Sequence, residues 1–510
     1  MLLDISDVIG EFGIYHFIVL LVTVLRALPS AWTLTGIDFL TGDFNVSCTG
    51  GSFAESIHFG KSVQECLVHP TNGTHIDTSV WVDCVNFTYG TVETRWSVVP
   101  EWNLVCQKRW ISSAMQTLVF AGCFVGAIVF GLLSDWQGRR KSLLVSTILF
   151  AVFAIGSSVV PELWAFNLLR FVQAAAVAGI QVTSAALFME LLLPRDRYLM
   201  NVGFTIAFAA CTIAVPFVSQ ALNSWRLFQL VCGLCALCIL PPLLIVEESP
   251  RWLVNQKRTL EAREVLNSIF TTNRRSIPNF TYVMSSLVER SQSSESQGIL
   301  VLLGNPRLRR QLIIILLYWL VENGIYYADI FLSAHIPDLD PRTTFAIGAA
   351  AEIPAGIVGM FLLRFLNRRS SMAGSLAIGS ACSIATAFLS LKQPTLKLAL
   401  SSVTRFFLTV ATSIKWVYTL ELLPTNIRSL GFALAFAVGR IGGMLAPFIR
   451  DLALASVSNQ KWCFVIVGSG SFLATVLVFF LPETLNSQLP DSIFESFLRN
   501  RRRSQSLPRA

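Results

Sequence analysis

Charged side chains are scarce in this sequence. Only 14% of its 510 residues are Asp, Glu, Lys or Arg, whereas 53% are hydrophobic, and the mean hydropathy is +0.60. Ordinary soluble domains carry about a quarter charged residues. The composition therefore excludes an ordinary soluble enzyme and indicates a chain that uses lipid as its solvent.

The signatures of catalysis and of metal binding are also missing. The sequence has no phosphate-binding glycine loop, no nucleophile triad and no cluster with metal-ligand spacing among its 5 histidines. We therefore expect neither an enzyme nor a metal site. The net charge of +8 reflects membrane topology, because basic residues collect on one side of the apolar segments. Membrane lipid is the expected partner, and nucleic acid is not.

Apolar segments of membrane-spanning length make up most of the chain. About 20 helical residues cross a hydrocarbon core of roughly 30 Å, and windows of that length predict twelve helices in an all-α membrane protein. The first segment follows three acidic residues and has no clear cleavage site, so it is predicted to be a membrane helix and not a signal peptide. The predicted helices are Phe12–Leu34, Ile111–Leu133, Ser142–Val160, Leu163–Leu187, Asn201–Leu222, Trp225–Ile245, Leu312–Phe331, Thr344–Leu366, Met372–Leu391, Thr395–Leu420, Leu430–Leu452 and Lys461–Leu481.

Basic residues between these helices set the predicted orientation, because Lys and Arg collect on the cytoplasmic side. The residues on that side are Arg139, Arg140, Lys141, Arg195, Arg197, Arg364, Arg368, Arg369, Arg428, Arg499 and Arg501 to Arg503. Both termini are then cytoplasmic. The predicted segments are 1–41 with the first helix, 42–109 as an outer loop, 110–245 with helices two to six, 246–310 as a cytoplasmic linker, 311–482 with helices seven to twelve, and 483–510 as a cytoplasmic tail.

The predicted outer loop carries the signs of the secretory pathway. Three glycosylation sequons begin at Asn45, Asn72 and Asn86, which predicts a glycoprotein of the plasma membrane. The loop also contains an even number of cysteines, from which two disulfides are expected in an oxidising compartment. Three pairings remain open for Cys48, Cys66, Cys84 and Cys106.

A charged decapeptide, Gly131–Arg140, joins the second and third predicted helices. Gly138 gives the backbone freedom for a tight turn, while Asp135, Arg139 and Arg140 place charges where the helices leave the membrane. The decapeptide resembles the G-x-L-[SA]-D-R-x-G-R-R signature of the major facilitator superfamily, with Trp where that signature usually has Arg. A transporter of a small solute is therefore expected.

The two predicted halves also repeat each other. Arg170 and Glu190 in the fourth helix correspond to Arg405 and Glu421 in the tenth, and a more divergent copy of the joint follows the eighth helix at Arg364–Arg369. Such repeats are expected in transporters that expose a midplane site alternately to each side of the membrane. A channel is disfavoured for the same reason.

Further stretches narrow the resemblance. They are Glu101–Cys106, Trp225–Leu230, Glu248–Leu253, Glu421–Arg428, Leu481–Thr484 and Leu489–Asp491. Together these stretches resemble the organic cation, organic anion and carnitine transporter family, and the match covers nearly the whole chain. The resemblance implies the major facilitator fold, a small organic ion as substrate, and no cofactor apart from coupling to sodium, a proton or a counter-anion. The oligomeric state stays open.

Ionisable residues inside the membrane are costly unless they face a wet cavity or a partner. The candidates are Arg26, Arg170, Glu322, Asp329, Glu352, Arg364, Arg405, Lys415 and Arg440. The resemblance implies that some of them lie near the cytoplasmic ends and form gating ion pairs, across the halves, with the joint. The predicted gating set is Asp135, Arg139, Arg140, Arg170, Glu190, Arg405 and Glu421.

Arg440 is the most informative position for the substrate. In the organic cation, organic anion and carnitine transporter family, which this sequence resembles, cation carriers tend to have Asp at the position of Arg440. Carriers of anions or zwitterions have Arg at that position. A guanidinium can hold a carboxylate through two hydrogen bonds, so a carboxylate-bearing substrate is predicted. The alternative is a structural ion pair between Arg440 and Glu352 or Asp329.

Other positions adjust this hypothesis. Gly356 stands where many dicarboxylate-exchanging relatives have Lys, which favours a carnitine-like zwitterion contacted by Glu352 and Asp329. Tyr326 and Tyr327 can pack against an apolar or quaternary-ammonium group, or can simply fill the helix. An organic cation transporter and a transport-dead receptor or scaffold remain alternatives, and saturable uptake would exclude the latter.

Overall fold

The computed structural model describes residues 9, 12–40, 46–48, 67–68, 71–72, 75–76, 82–83, 87–89, 97–193, 198–275, 306–389, 393–423, 428–455 and 457–484. Twelve long helices dominate these residues. The first six are α1 (Ile14–Thr35), α2 (Trp110–Gln137), α3 (Arg139–Ser157), α4 (Leu163–Leu191), α5 (Tyr198–Leu222) and α6 (Trp225–Ile245). The second six are α7 (Pro306–Ser333), α8 (Pro341–Phe365), α9 (Arg368–Phe388), α10 (Pro394–Leu422), α11 (Arg428–Ala455) and α12 (Val457–Phe479).

Eleven helices in the described ranges are long and apolar enough to cross a membrane. The remaining member of the twelve, α10, has 29 residues but carries Lys397, Arg405 and Lys415 within its length. These cations are buried against neighbouring helices, so α10 can cross the membrane without exposing them to lipid. The prediction of twelve helices in two halves of six is confirmed.

Most helix limits differ from those predicted by a few residues. Helix α2 continues to Gln137 and so includes Asp135, and α7 begins at Pro306 instead of near Leu312. Hydropathy detects the apolar part of a helix, whereas backbone hydrogen bonds continue into polar turns beyond it.

Three membrane helices change geometry locally. A 3₁₀ turn at Leu237–Ile239 lies within α6. In α1 the segments Ile14–Leu25 and Ala27–Thr35 meet at Arg26, and in α8 two segments meet at Ala351, but both residues keep helical backbone angles. Buried charged side chains lie at both junctions, Arg26 in α1 and Glu352 next to Ala351 in α8.

Shorter elements mark the two ends of the bundle. The helices Pro250–Asn255 and Thr259–Thr272 follow α6 and lie at the end that carries Gly138; we call this end the linker face. The helix Val98–Trp102 lies at the opposite end, which we call the loop face. Further short elements are the helices Ile37–Leu40 and Cys106–Lys108 and the antiparallel strand pairs Val46–Cys48 with Phe87–Tyr89, Leu67–Val68 with Val82–Asp83, and Thr71–Asn72 with His75–Ile76.

The halves meet mainly where α2 packs along α11 and where α5 packs against α8. A side chain at Gly443 would meet the Phe120 ring at 2.8 Å, so glycine is required for this close approach. Near the loop face, Ser113 of α2 donates a hydrogen bond to Asp451 of α11. Near the linker face, Gly131 approaches Ala433, so the two helices touch towards both ends.

Candidate functional site

Arg440 lies near the middle of α11 and is buried. Its Nη1 donates a 2.9 Å hydrogen bond to the Tyr327 hydroxyl, and its Nη2 donates a 2.9 Å bond to Oε1 of Gln181 on α4. The guanidinium also stacks on the Phe436 ring at 4.3 Å. The bond to Gln181 crosses from one half of the protein to the other, so Arg440 lies at the interface whose two sides must part during transport.

The contacts of Arg440 exclude the predicted structural alternative within the described residues. Arg440 forms no ion pair with Glu352 or Asp329 among the described residues. Its two hydrogen-bond partners, the Tyr327 hydroxyl and the Gln181 amide, are both neutral. Its Nε has no hydrogen-bond partner there. The charge is therefore held in place by polar groups without being neutralised by any of them.

Tyr326 and Tyr327 connect two differently charged regions. Their rings meet edge to face, with centroids 5.3 Å apart. The Tyr327 hydroxyl accepts from Arg440, whereas the Tyr326 hydroxyl donates a 3.1 Å hydrogen bond to Glu352. Both tyrosines are therefore more than helix filler, because each orients a charged partner.

Glu352 on α8 belongs to an acidic region opposite Arg440. Its Oε1 lies 2.7 Å from Nε of Arg405, and both side chains are buried. Asp329 interacts electrostatically with this pair, yet both of its carboxylate oxygens lack hydrogen-bond partners among the described residues. A second buried pair, Glu322 with Lys415, lies on α7 and α10. Nη1 and Nη2 of Arg405 also lack hydrogen-bond partners among the described residues. The region therefore has three carboxylates, Glu322, Asp329 and Glu352, and two cations, Arg405 and Lys415.

Arg26 was a candidate from the sequence but was assigned neither a substrate-binding nor a gating role. Within α1, its Nη1 donates to the Gln181 carbonyl at 2.5 Å and to the Ser184 hydroxyl at 2.6 Å. Gln181 therefore contacts both Arg26 and Arg440. A lone arginine in an apolar segment was the available signal, but spacing along the chain could not reveal that α4 brings the two arginines to one glutamine.

The predicted gating residues divide into separate groups. At the linker face, the Arg139 guanidinium lies 3.0 Å from Asp135 and 3.0 Å from Glu190. In the second half, Arg368 lies 3.5 Å from Glu421. Both groups connect helices of a single half, and charge pairing across the halves in a gate stays a prediction.

Three members of the gating set lie elsewhere or pair differently. Arg170 lies in the half of α4 nearer the loop face, and its Nη2 donates a 3.2 Å hydrogen bond to the Thr33 carbonyl. Arg405 pairs with Glu352, and Arg140 lies 3.6 Å from Glu247 after α6. Arg170 and Glu190 are 20 residues apart in α4, a rise of about 30 Å, so they lie towards opposite ends of the helix and cannot share one gate.

A cleft of about 440 Å³ opens at the linker face. It lies between the joint and the linker helices, and Arg140, Glu248 and Trp252 are among its lining residues. None of the residues around Arg440 lines it. In the part of the chain that the structure describes, no group of three or more His, Cys, Asp and Glu side chains could hold a metal ion.

The predicted modification sites lie outside what the structure describes. Asn45, Asn86, Cys66 and Cys84 are outside the described residues, and so are the side chains of Asn72, Cys48 and Cys106. Glycosylation and disulfide formation in the 42–109 segment therefore stay predictions.

Comparisons with known proteins agree with this arrangement. The family model described as "Sugar (and other) transporter" matches residues 60–492. The chain is 30% identical over 498 residues to solute carrier family 22 member 15 of Xenopus tropicalis, covering 95% of this chain and 89% of that protein. It is 28% identical over 409 residues to human organic cation/carnitine transporter 2, covering 78% and 71%.

The structure resembles that of the proton:xylose symporter XylE bound to 6-bromo-6-deoxy-D-glucose. The TM-score is 0.66 with 18% identity, and the match covers 95% of this chain and 99% of that one. At this identity the likeness shows the fold alone. Two six-helix halves around buried ionisable residues thus define a major facilitator transporter, and not an enzyme. The chain belongs to the sugar (and other) transporter family, and within it to the solute carrier family 22 transporters of small organic ions.

Proposed function

We propose that this transporter carries a carboxylate-bearing organic anion or a carnitine-like zwitterion, and that Arg440 binds the carboxylate. The observation that supports this most strongly is a buried guanidinium with no carboxylate partner among the described residues. Burying a charge is costly unless an opposite charge compensates it. A substrate carboxylate provides that compensation each time the site is occupied.

The surroundings of Arg440 suit a ligand that arrives and leaves. Tyr327 and Gln181 accept from the guanidinium as neutral groups, so they hold it less strongly than a carboxylate would. A carboxylate can therefore replace them and accept two parallel N–H groups. Because Gln181 lies in the opposite half, replacing its bond changes a contact that joins the halves, as alternating access requires.

The acidic region supports a second candidate, an organic cation, or the cationic end of a zwitterion. Asp329 is buried with two unpartnered oxygens, and Glu352 has an unpartnered Oε2. The two tyrosines between this region and Arg440 can contact an apolar or quaternary-ammonium group. A zwitterion would use both regions, an anion would use Arg440 alone, and a cation would use Asp329 and Glu352.

The proposal extends to location and coupling. The three sequons predict the plasma membrane, and solute carrier family 22 relatives make the same assignment reasonable. Sodium, a proton or a counter-anion is the proposed coupling partner. The first experiment is therefore uptake of labelled carnitine, hippurate and tetraethylammonium in cells that express the full chain, each with and without sodium. Saturable uptake would also exclude the receptor or scaffold alternative.

The decisive comparison uses the best carboxylate substrate and its methyl ester, in wild type and in Arg440→Ala at matched surface expression. Losing one half of a buried charge pair costs on the order of 3 kcal/mol, which is roughly a hundredfold in apparent affinity. We expect Arg440→Ala to lose this preference for the free carboxylate. Arg440→Lys should recover only part of it, because an ammonium lacks the planar fork, and Arg440→Asp should shift the preference towards tetraethylammonium.

The matched control is Arg364→Ala, since Arg364 also lies in a membrane helix but is exposed and stacks on Phe365. It should keep the wild-type preference. If wild type does not distinguish the acid from its ester, or if Arg440→Ala keeps the full distinction, Arg440 does not bind a carboxylate. The second candidate, an organic cation as substrate, is then favoured.

A further inference from the structure

Cys123 of α2 lies level with Arg440 of α11, across the interface between the halves. The two helices run in opposite directions, and Phe120 of α2 meets Gly443 of α11 where they touch. Cys123 follows Phe120 by three residues, and Arg440 precedes Gly443 by three residues. Three residues advance a helix by about 4.5 Å, so the thiol and the guanidinium are displaced equally from this contact.

Two further contacts between α2 and α11 fix this register. The Thr117 hydroxyl donates a 3.1 Å hydrogen bond to the Met444 carbonyl. Towards the linker face, a Cβ at Gly131 would lie 3.5 Å from the Ala433 side chain. Cys123 lies between these two contacts, so the alignment with the second half does not depend on one pair of residues.

The surroundings of Cys123 include both halves. Its side chain is 0% exposed, and its Sγ donates a 3.3 Å hydrogen bond to the Ala174 carbonyl of α4. It interacts electrostatically with Arg440 and Tyr327 of the second half. Phe120, one turn earlier, packs against Tyr327 with ring centroids 4.7 Å apart. Parting of the halves, as alternating access requires, therefore uncovers the thiol.

We infer that Cys123 lines the transport site and forms a disulfide with thiol-reactive compounds that carry a carboxylate. Arg440 is 5% exposed, and its Nε has no hydrogen-bond partner among the described residues. An unsatisfied guanidinium donor is therefore available to hold a carboxylate beside the thiol. The reaction of Cys123 depends on its position alone, whereas the preference for a carboxylate rests on the proposed function.

The reagent that tests this is 2-carboxyethyl methanethiosulfonate. The Cys123 thiol loses its proton to water, and the thiolate attacks the reagent sulfur that bears the carboxyethyl group. A disulfide forms, the bond from that sulfur to the sulfonyl group breaks, and methanesulfinate leaves with the electron pair. Because the thiolate is the nucleophile, the reaction needs water at Cys123 and therefore an open site.

A buried cysteine is ordinarily an inert apolar side chain, and the chain offers a matched example. Cys463 of α12 is also 0% exposed, and its Sγ donates a 3.4 Å hydrogen bond to the Ile449 carbonyl. The two thiols are thus buried and bonded alike. Cys123 differs from Cys463 in lying level with Arg440.

The test follows labelling of the purified full-length chain in detergent, where the reagent can reach either face. Peptide mass spectrometry gives the rate at each cysteine. The comparison reagent is 2-(trimethylammonium)ethyl methanethiosulfonate, and each rate is divided by that of the same reagent with a small thiol in solution. We expect wild-type Cys123 to react about tenfold faster than Cys463, and about tenfold faster with the carboxylate reagent than with the ammonium reagent. Arg440→Ala should reduce the second ratio to about one.

Uptake gives an independent readout in cells that express the full chain. The labelled solute is hippurate, carnitine or tetraethylammonium, whichever the protein transports, and each variant is compared with its own untreated uptake. The carboxylate reagent should inhibit wild type and Cys463→Ser, whereas Cys123→Ser should keep most of its own uptake. If Cys123→Ser does not reach the surface, Cys123→Ala serves in its place, and the labelling rates of wild type need no variant.

The inference is overturned if Cys123 reacts no faster than Cys463, or if wild type and Cys123→Ser lose uptake to the same extent. Failure of the proposed function gives a different result, in which Cys123 reacts faster than Cys463 but equally fast with both reagents. The two ideas are therefore decided by separate ratios.

Discussion

The backbone N–H of Arg139 donates a 2.7 Å hydrogen bond to the carboxylate of Glu248. In the second half, the backbone N–H of Arg368 donates a 2.9 Å bond to Glu483. Each acid follows the last helix of its half and caps the helix that begins at the joint, α3 or α9, where a negative charge is favourable. The linker-face ends of each half are thus tied within that half, which fits two halves that move as units.

Neutralising either capping acid should lower stability. Glu248→Gln and Glu483→Gln each remove a charge from a helix N-terminus, and we expect each to cost about 1–2 kcal/mol. The two losses should add, because the acids serve different halves. Melting temperatures of the purified variants measure this, with the exposed Glu264→Gln as control. A double variant no less stable than the worse single variant would show that the two caps act as one unit.

The joint should respond more strongly to loss of Glu190 than to loss of Asp135. Both acids lie 3.0 Å from Arg139, but the Glu190 side chain is 14% exposed and that of Asp135 is 48% exposed. Exposed ion pairs contribute little. Asp135→Asn should lower the maximal uptake rate more than surface expression, and Glu190→Gln should lower the rate further. Uptake rates normalised to biotinylated surface protein decide this, and the reverse order would remove the argument from burial.

Gly138 should tolerate no side chain. Its φ is 105°, which non-glycine residues rarely adopt, and a Cβ would meet Glu248 Oε2 at 2.3 Å. Gly138→Ala should therefore lower the melting temperature and the surface level. The matched control is Asn367→Ala, because Asn367 occupies the same place in the second half at φ −60°. Equal effects of both substitutions would contradict the strain at Gly138.

The buried pair of Arg405 and Glu352 should show strong coupling. Arg405→Met leaves Glu352 charged without its cation, and Glu352→Met leaves Arg405 without its anion, so each single change should cost about 3 kcal/mol. The double variant should recover much of that loss because no buried charge of the pair remains. Melting temperatures of the four proteins form the required cycle. Simple additivity would show that the two side chains do not depend on each other.

The 42–109 segment should be glycosylated in the secretory pathway and face the outside of the cell. Treating the expressed protein with an endoglycosidase should increase its gel mobility, and substituting Asn45, Asn72 and Asn86 with Gln should abolish that change. A C-terminal tag should stay inaccessible to protease in intact cells. Unchanged mobility with all three asparagines present would exclude glycosylation, and cleavage of the tag in intact cells would reverse the orientation.

The helical framework could be predicted because hydropathy is a local property. Even α10, which is less apolar than the others, was recognisable from its length and from its repeat relation to α4. The pairing of ionisable residues could not be predicted in the same way. The repeat suggested one role for Arg170 and Arg405, but Thr33 and Glu352 are their respective partners, because each neighbouring helix supplies different groups at those positions.

The sequence by itself determined the number of membrane helices, the division into halves and the joint at Gly138, and it singled out Arg440 as a candidate. Each of these follows from local patterns: apolar length, a repeated motif, or a charge in an apolar segment. Only the tertiary structure decided which charges meet. Gln181, Arg26 and Arg440 lie on three helices far apart in the chain, and the packing of α1, α4 and α11 brings them together. Whether a buried charge has a partner depends on distances across helices, which no spacing along one helix specifies.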